Sequence, residues 1–107
     1  MQVVEYLTGE GRSPFANWFD SLNAPAAAKV TLAMIRLEQG NMSNVEGVGG
    51  GLFEYKIDFG PGYRVYFGMD GRELVILVGG GSKQRQSWDI RLAKARWDDY
   101  RQRKRKL

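Results

Sequence analysis

LFEYKIDFGPGYRVYF, residues 52–67, reads as a β-hairpin. Phe53, Tyr55, Ile57 and Phe59 fall on one face and Glu54, Lys56 and Asp58 on the other, the period of two expected of a strand with one buried side. Gly60-Pro61-Gly62 supplies the turn. The return strand over 63–67 sets Tyr63, Val65 and Phe67 on the buried face, and Arg64 and Tyr66 on the open one. Toward the C-terminus, Asp70-Gly71 marks a second hairpin. Leu74–Val78 is apolar at every position, as expected for a strand covered on both sides. Gly79-Gly80-Gly81 reads as a bend into a last helix over about 86–103, with Ile90, Ala93, Trp97 and Tyr100 along one side.

Toward the N-terminus, residues 41–51 are rich in glycine, asparagine and serine and read as a mobile loop. Before it, Ala26, Val30, Met34 and Leu37 form the apolar stripe of a helix that Asn23-Ala24-Pro25 opens and Gly40 closes. Ser13-Pro14 starts a shorter helix whose Phe15, Trp18, Phe19 and Leu22 share one face. So short a link predicts that the two helices form an antiparallel hairpin. Residues 2–7 read as a short strand. Together these elements predict an α+β domain, a helical hairpin packed on a small, mostly antiparallel sheet with a C-terminal helix.

The chain has 107 residues, enough for one core and one domain over 1–107. Hydrophobic residues make up 43% and charged residues 26%, the balance of a globular rather than a disordered chain. No cysteine and no histidine occur. Disulfides and thiolate metal sites are thereby excluded, and proton transfer near neutrality must rest on carboxylate, lysine, tyrosine or arginine-stabilised charge. No secretory leader and no bilayer-length apolar run is visible, so the expected location is the cytoplasm, with no membrane partner. The net charge is +4, and residues 101–107 hold five cations and no anion. Such a basic tail is either solvated or an electrostatic aid to nucleic-acid binding.

Strand alternation places Lys56, Arg64 and Tyr66 on one face, and the glycine run brings Ser82, Lys83, Arg85 and Gln86 off the neighbouring strand. Cations, a phenol and amide donors on one surface suit a phosphodiester, because fixed positive charge stabilises the pentavalent phosphate and arginine grips it with two parallel hydrogen bonds. Lys56, Arg64, Lys83 and Arg85 are the catalytic candidates; Tyr66, Gln86 and Trp88 are the substrate-binding ones. The plainer alternative is a solvated face on which Lys56 pairs with Glu54 or Asp58. The run Gly79-Gly-Gly-Ser-Lys83 lacks the spacing of a nucleotide-triphosphate loop. Trp18 and Trp97 lie on apolar helix faces and belong to the core, whereas Trp88, beside the basic bend, is placed to stack on a base.

Residues 52–67, the block GGGSKQRQSWDI at 79–90 and IRLEQGN at 35–41 resemble the addiction-module-killer group of the RelE/ParE toxin superfamily, HigB-like and phage-derived Gp49-like. The resemblance implies a RelE-like fold with a curved sheet. It also implies a type II toxin held in check by a cognate antitoxin, usually of helix-turn-helix type and encoded adjacently. The implied activity is metal-independent, cofactor-free cutting of mRNA on the ribosome. The alternatives within the same fold are a gyrase-inhibiting binding module and a degenerate toxin acting only as co-repressor. By resemblance, Lys56 matches a basic strand residue of the nucleases, Arg64 the arginine on the scissile phosphate, and Lys83 with Arg85 the basic residues after the last strand. Asp58 stands where some nucleases have a second lysine, and Trp88-Asp89 where several have a C-terminal histidine or tyrosine. Lys56, Asp58 and Asp89 remain alternative general bases.

Overall fold

Two side chains start the N-terminal helices. Ser13 Oγ accepts from the Ala16 N–H at 3.0 Å and Asn23 Oδ1 accepts from the Ala26 N–H at 3.0 Å. Each satisfies a donor that the first helical turn leaves unpaired, and a proline follows in that turn. The computed structural model describes residues 1–106; Leu107, the end of the basic tail, lies outside the described residues. In chain order the elements are β1 (Gln2–Glu5), α1 (Pro14–Asp20), α2 (Ala24–Glu38), β2 (Val45–Gly49), β3 (Leu52–Ile57), β4 (Tyr63–Asp70), β5 (Leu74–Ser82), a 3-10 turn (Lys83–Arg85) and α3 (Gln86–Arg105).

The five strands form one mixed sheet in the order β1-β5-β4-β3-β2. Only β1 and β5 run parallel; the other pairs are antiparallel. On one face, Phe15 of α1 and Val30, Ala33 and Leu37 of α2 pack on Tyr55, Ile57, Val65, Phe67, Val75 and Leu77. On the other, Ala93 and Trp97 of α3 pack on Tyr6, Leu52, Tyr66, Ile76 and Val78. Helices therefore cover both sides of β5, which accounts for its unbroken apolar run. The α+β class, the capped helices and the hairpin alternation are as the sequence predicts. No helix among the described residues is long and apolar enough to cross a membrane.

Three expectations are corrected. Residues 41–51 are not wholly loop: Val45–Gly49 pairs with β3, Val45 opposite Tyr55. The unpaired backbone groups along β3 reward pairing even by a glycine-rich segment, whose own strand propensity is low. Gly79–Gly81 is not a bend but the end of β5, with Gly79, Gly80 and Gly81 opposite Tyr66, Val65 and Arg64. Helical side chains lie directly on these glycines. A Cβ on Gly79 would sit 2.7 Å from Arg96 Nη1, and one on Gly81 would sit 2.7 Å from Asp89 Cγ. Lastly, the face assigned to solvent in the 52–67 hairpin is partly roofed by α3, so Glu54 and Tyr66 are buried at 2% and 0% exposure.

The C-terminal half of α3 is tied to the sheet through Asp70, which accepts from Tyr100 Oη at 2.6 Å and pairs with Lys104. The Lys104 hydrogen bond, then that of Tyr100, holds the Asp70 carboxyl below its ordinary value of 3.8. The folded chain thus binds this proton less readily than the unfolded one. The resulting stability is present in full above the unfolded pKa and is lost as pH falls through the folded one. Asp70→Asn should accordingly flatten the acid side of a plot of Tm against pH while changing little of its shape near neutrality. An unchanged acid limb would show that Asp70 carries no part of it.

Candidate active site

Strand register assembles the cations. Lys56 stands opposite Arg64 in the β3–β4 pair, and Arg64 opposite Gly81 in the β4–β5 pair. Beyond β5 the 3-10 turn folds back on the hairpin, its Lys83 N–H donating to the Gly62 carbonyl at 2.7 Å. Gly62 has φ +81°, and a Cβ there would meet Lys83 Cβ at 3.4 Å and Arg64 Nη1 at 3.7 Å. Lys83 and Arg64 therefore flank the same glycine, one from the 3-10 turn and the other from β4, which the β4–β5 hairpin separates in sequence.

Arg64 is held rather than free. Its side chain is 12% exposed, Nη1 donates to the Tyr63 carbonyl at 3.0 Å, and Nε lies 3.9 Å from Glu54 Oε1. Glu54 in turn accepts from Gln86 Nε2 at 2.8 and 3.1 Å. A buried carboxylate needs such partners, because desolvation of an unpaired charge costs several kcal/mol or more. Glu54 thus links the first residue of α3 to the arginine on β4. The Nε of Arg64 and the hydroxyl of Tyr66 are buried without a hydrogen-bond partner among the described residues.

A second carboxylate closes the group from above. Asp89, in the first turn of α3, lies against Gly81. Burial raises its pKa, with Arg85 and then Arg96 pulling it back. Arg96 donates to the Val78 carbonyl at 3.0 Å, and burial lowers its own pKa. The Tyr66 hydroxyl is pushed well up, first by burial and then by the negative charge of Glu54 and Asp89, so it remains a neutral phenol.

Among the residues expected from sequence, Arg64, Lys83 and Gln86 come together, and Lys56 stands beside Arg64 in register. The ammonium of Lys56 is 2.8 Å from Glu46 on β2, not paired with Glu54 or Asp58. Arg85 is exposed at the turn, and Trp88 is exposed on α3 with the Arg91 guanidinium 5.8 Å from its ring centre. Tyr66 departs from expectation: expected on an open face, it is sealed beneath α3, where a phenol can order its neighbours but meets no solvent. Sequence reasoning missed Glu54 as a structural anchor and missed Arg96 altogether. The available signal was the apolar side of α3, since Ala93 and Trp97 require a sheet face to cover.

The arrangement offers two converging cations, a carboxyl of raised pKa for proton transfer, and a buried clamp that fixes the arginine. No group of three or more Asp and Glu side chains is placed to hold a metal ion among the described residues.

Comparison with known proteins places this cluster in a family context. The family model described as "Phage derived protein Gp49-like (DUF891)" matches residues 17–98, from α1 through most of α3, and so includes every residue of the cluster. A protein of Haemophilus influenzae (strain ATCC 51907 / DSM 11121 / KW20 / Rd), described as uncharacterized, is 43% identical over 81 residues, covering 75% of this chain and 82% of that protein.

Proposed function

Because the chain belongs to the phage-derived Gp49-like family, and because it seats Arg64 and Lys83 on one glycine, we propose that it is a type II toxin that cuts mRNA on the ribosome. The observation that carries this reading is the Glu54–Gln86 clamp beneath Arg64. A buried carboxylate that holds a guanidinium at a fixed place costs stability, and that cost makes sense where the guanidinium meets a phosphate.

The chemistry is transesterification. The 2′-oxygen attacks phosphorus and loses its proton to a base, the bond to the 5′-oxygen breaks, and that oxygen takes up a proton. The products are a 2′,3′-cyclic phosphate and a 5′-hydroxyl. Arg64 and Lys83 stabilise the charge that gathers on the non-bridging oxygens, without a metal or other cofactor. Of the three bases considered, Asp89 is favoured: its raised pKa suits proton exchange, whereas Asp58 is exposed and Lys56 is paired with Glu46. The partners in this reading are mRNA, the ribosome and a cognate antitoxin, encoded adjacently and of helix-turn-helix type, all in the cytoplasm.

The test is induced expression without antitoxin, with mRNA 5′ ends and DNA breaks mapped in the same cultures. New 5′-hydroxyl ends inside translated frames, absent when translation is blocked, are the expected result. Arrest with cleaved DNA and intact transcripts would instead establish a gyrase inhibitor. Normal growth would leave the co-repressor.

A further inference from the structure

A cavity of about 250 Å³ opens between α2 and the end of the β3 strand, on the far side of that strand from Glu54 and Gln86. Lys29, Leu32 and Arg36 reach it from α2, Lys56 from β3, and Asp58 and Phe59 from the residues just after β3. Positions 29, 32 and 36 share one side of a helix, so α2 turns Val30 and Leu37 into the core and these three toward the opening. Two of these, Lys29 and Arg36, bring cations to the opening beside Asp58, whereas the Lys56 ammonium is paired with Glu46. Neither Lys29 nor Arg36 has an acidic partner within 4.0 Å among the described residues. The Lys29 ammonium instead lies 5.4 Å from the centre of the Phe59 ring. Unpaired cations beside an aromatic ring and an exposed leucine offer an anion a seat and a flat apolar group a wall.

Lys56 lines the cavity and is also the register partner of Arg64, with its ammonium turned to Glu46 on β2. We propose that the cavity seats one nucleotide of the bound single-stranded RNA away from the cutting site, its phosphate on Lys29 and Arg36 and its base or sugar against Leu32 and Phe59. The inference rests on the reading of the chain as an RNA-cutting protein and adds a subsite to it. An acidic peptide would answer the charge but leave the apolar wall unused, and the volume, near the lower end for small-ligand pockets, suits a single nucleotide.

The test is an NMR titration of the isotopically labelled full chain with a nucleoside 5′-monophosphate, inorganic phosphate and a short oligoglutamate at equal ionic strength. Saturable shifts at residues 29–36 and 55–59 are expected for the nucleotide. The Lys29→Ala/Arg36→Ala variant should weaken that binding by about tenfold or more, as loss of two charge-assisted contacts implies. Both replaced side chains are exposed, and the spread of the variant's own spectrum reports its fold. Arg72→Ala, exposed in the turn after β4 and outside both the cavity and the candidate active site, should bind the nucleotide as the parent does. The inference is overturned if phosphate binds as tightly as nucleotide, if oligoglutamate binds more tightly, or if the double variant binds undiminished. Neither ribosome nor cleavage enters this measurement. Nucleotide bound by a chain that leaves mRNA intact keeps the site and removes the nuclease; mRNA cut by a chain that binds no nucleotide here does the reverse.

Discussion

Arg64→Ala should lower mRNA cutting by about 10²–10³-fold, the usual loss when one preorganised donor to a developing oxyanion is removed. The expectation follows from how the side chain is fixed. Arg64 is mostly buried, it is tied to the Tyr63 carbonyl, and Glu54 stands behind it, so little reorganisation is needed when a phosphate arrives. Removing it also strips a cation from beside a buried carboxylate, and the variant's stability has to be measured alongside its activity. Glu54 retains both hydrogen bonds from Gln86, which limits that damage. Two companions separate chemistry from folding. Arg64→Lys keeps the charge but loses the planar fork and should recover only part of the activity. Lys83→Ala changes an exposed side chain, so it should keep the fold while cutting more slowly. The measurement is cleavage of a defined transcript in a translating extract, with circular dichroism on each protein. A folded Arg64→Ala chain that cuts at the parental rate would end the assignment.

Gly68→Ala should lower the melting temperature sharply. Gly68 lies on β4 directly beneath Trp97, and a Cβ there would fall within 2.5 Å of three indole carbons. The ring has little freedom to retreat. It is 4% exposed and stacks on Tyr100 with centroids 5.3 Å apart and planes 7° from parallel, while Arg101 covers it from outside. Overpacking a closed core costs about 1–3 kcal/mol, and each kcal/mol is worth roughly 4–8 °C in Tm for a domain near this size. Gly9→Ala is the control, because a Cβ there meets nothing within 4 Å and the backbone is not left-handed. Equal melting temperatures for the two variants would show that α3 moves aside at no cost.

The three corrections share an origin. Alternation in residues 52–67 states that two faces exist and which residues belong to each, and the register confirms it. It carries no information about what lies over the polar face, and glycine runs have no side chains from which a pattern could be read. Gly79–Gly81 reads as a bend for that reason, yet its bare backbone is what lets Trp18, Asp89 and Arg96 approach the strand. In the same way, Val45–Gly49 becomes a strand because β3 offers it a partner, not because of its own residues.

By itself the sequence determined the local chemistry of this protein. The capping residues Ser13 and Asn23, the helical stripes, the hairpin and the basic character of Lys56, Arg64 and Lys83 follow from side-chain type and spacing over a few residues, where backbone geometry leaves little choice. Only the tertiary structure decided how that chemistry is arranged. It set Gln86 on Glu54 across 32 positions of chain, brought Lys83 beside Arg64 at Gly62, sealed Tyr66 away from solvent and turned Lys56 toward Glu46. Those contacts depend on which face α3 covers, a choice made by the burial of Ala93 and Trp97 on the sheet and by the satisfaction of the polar groups trapped beneath them.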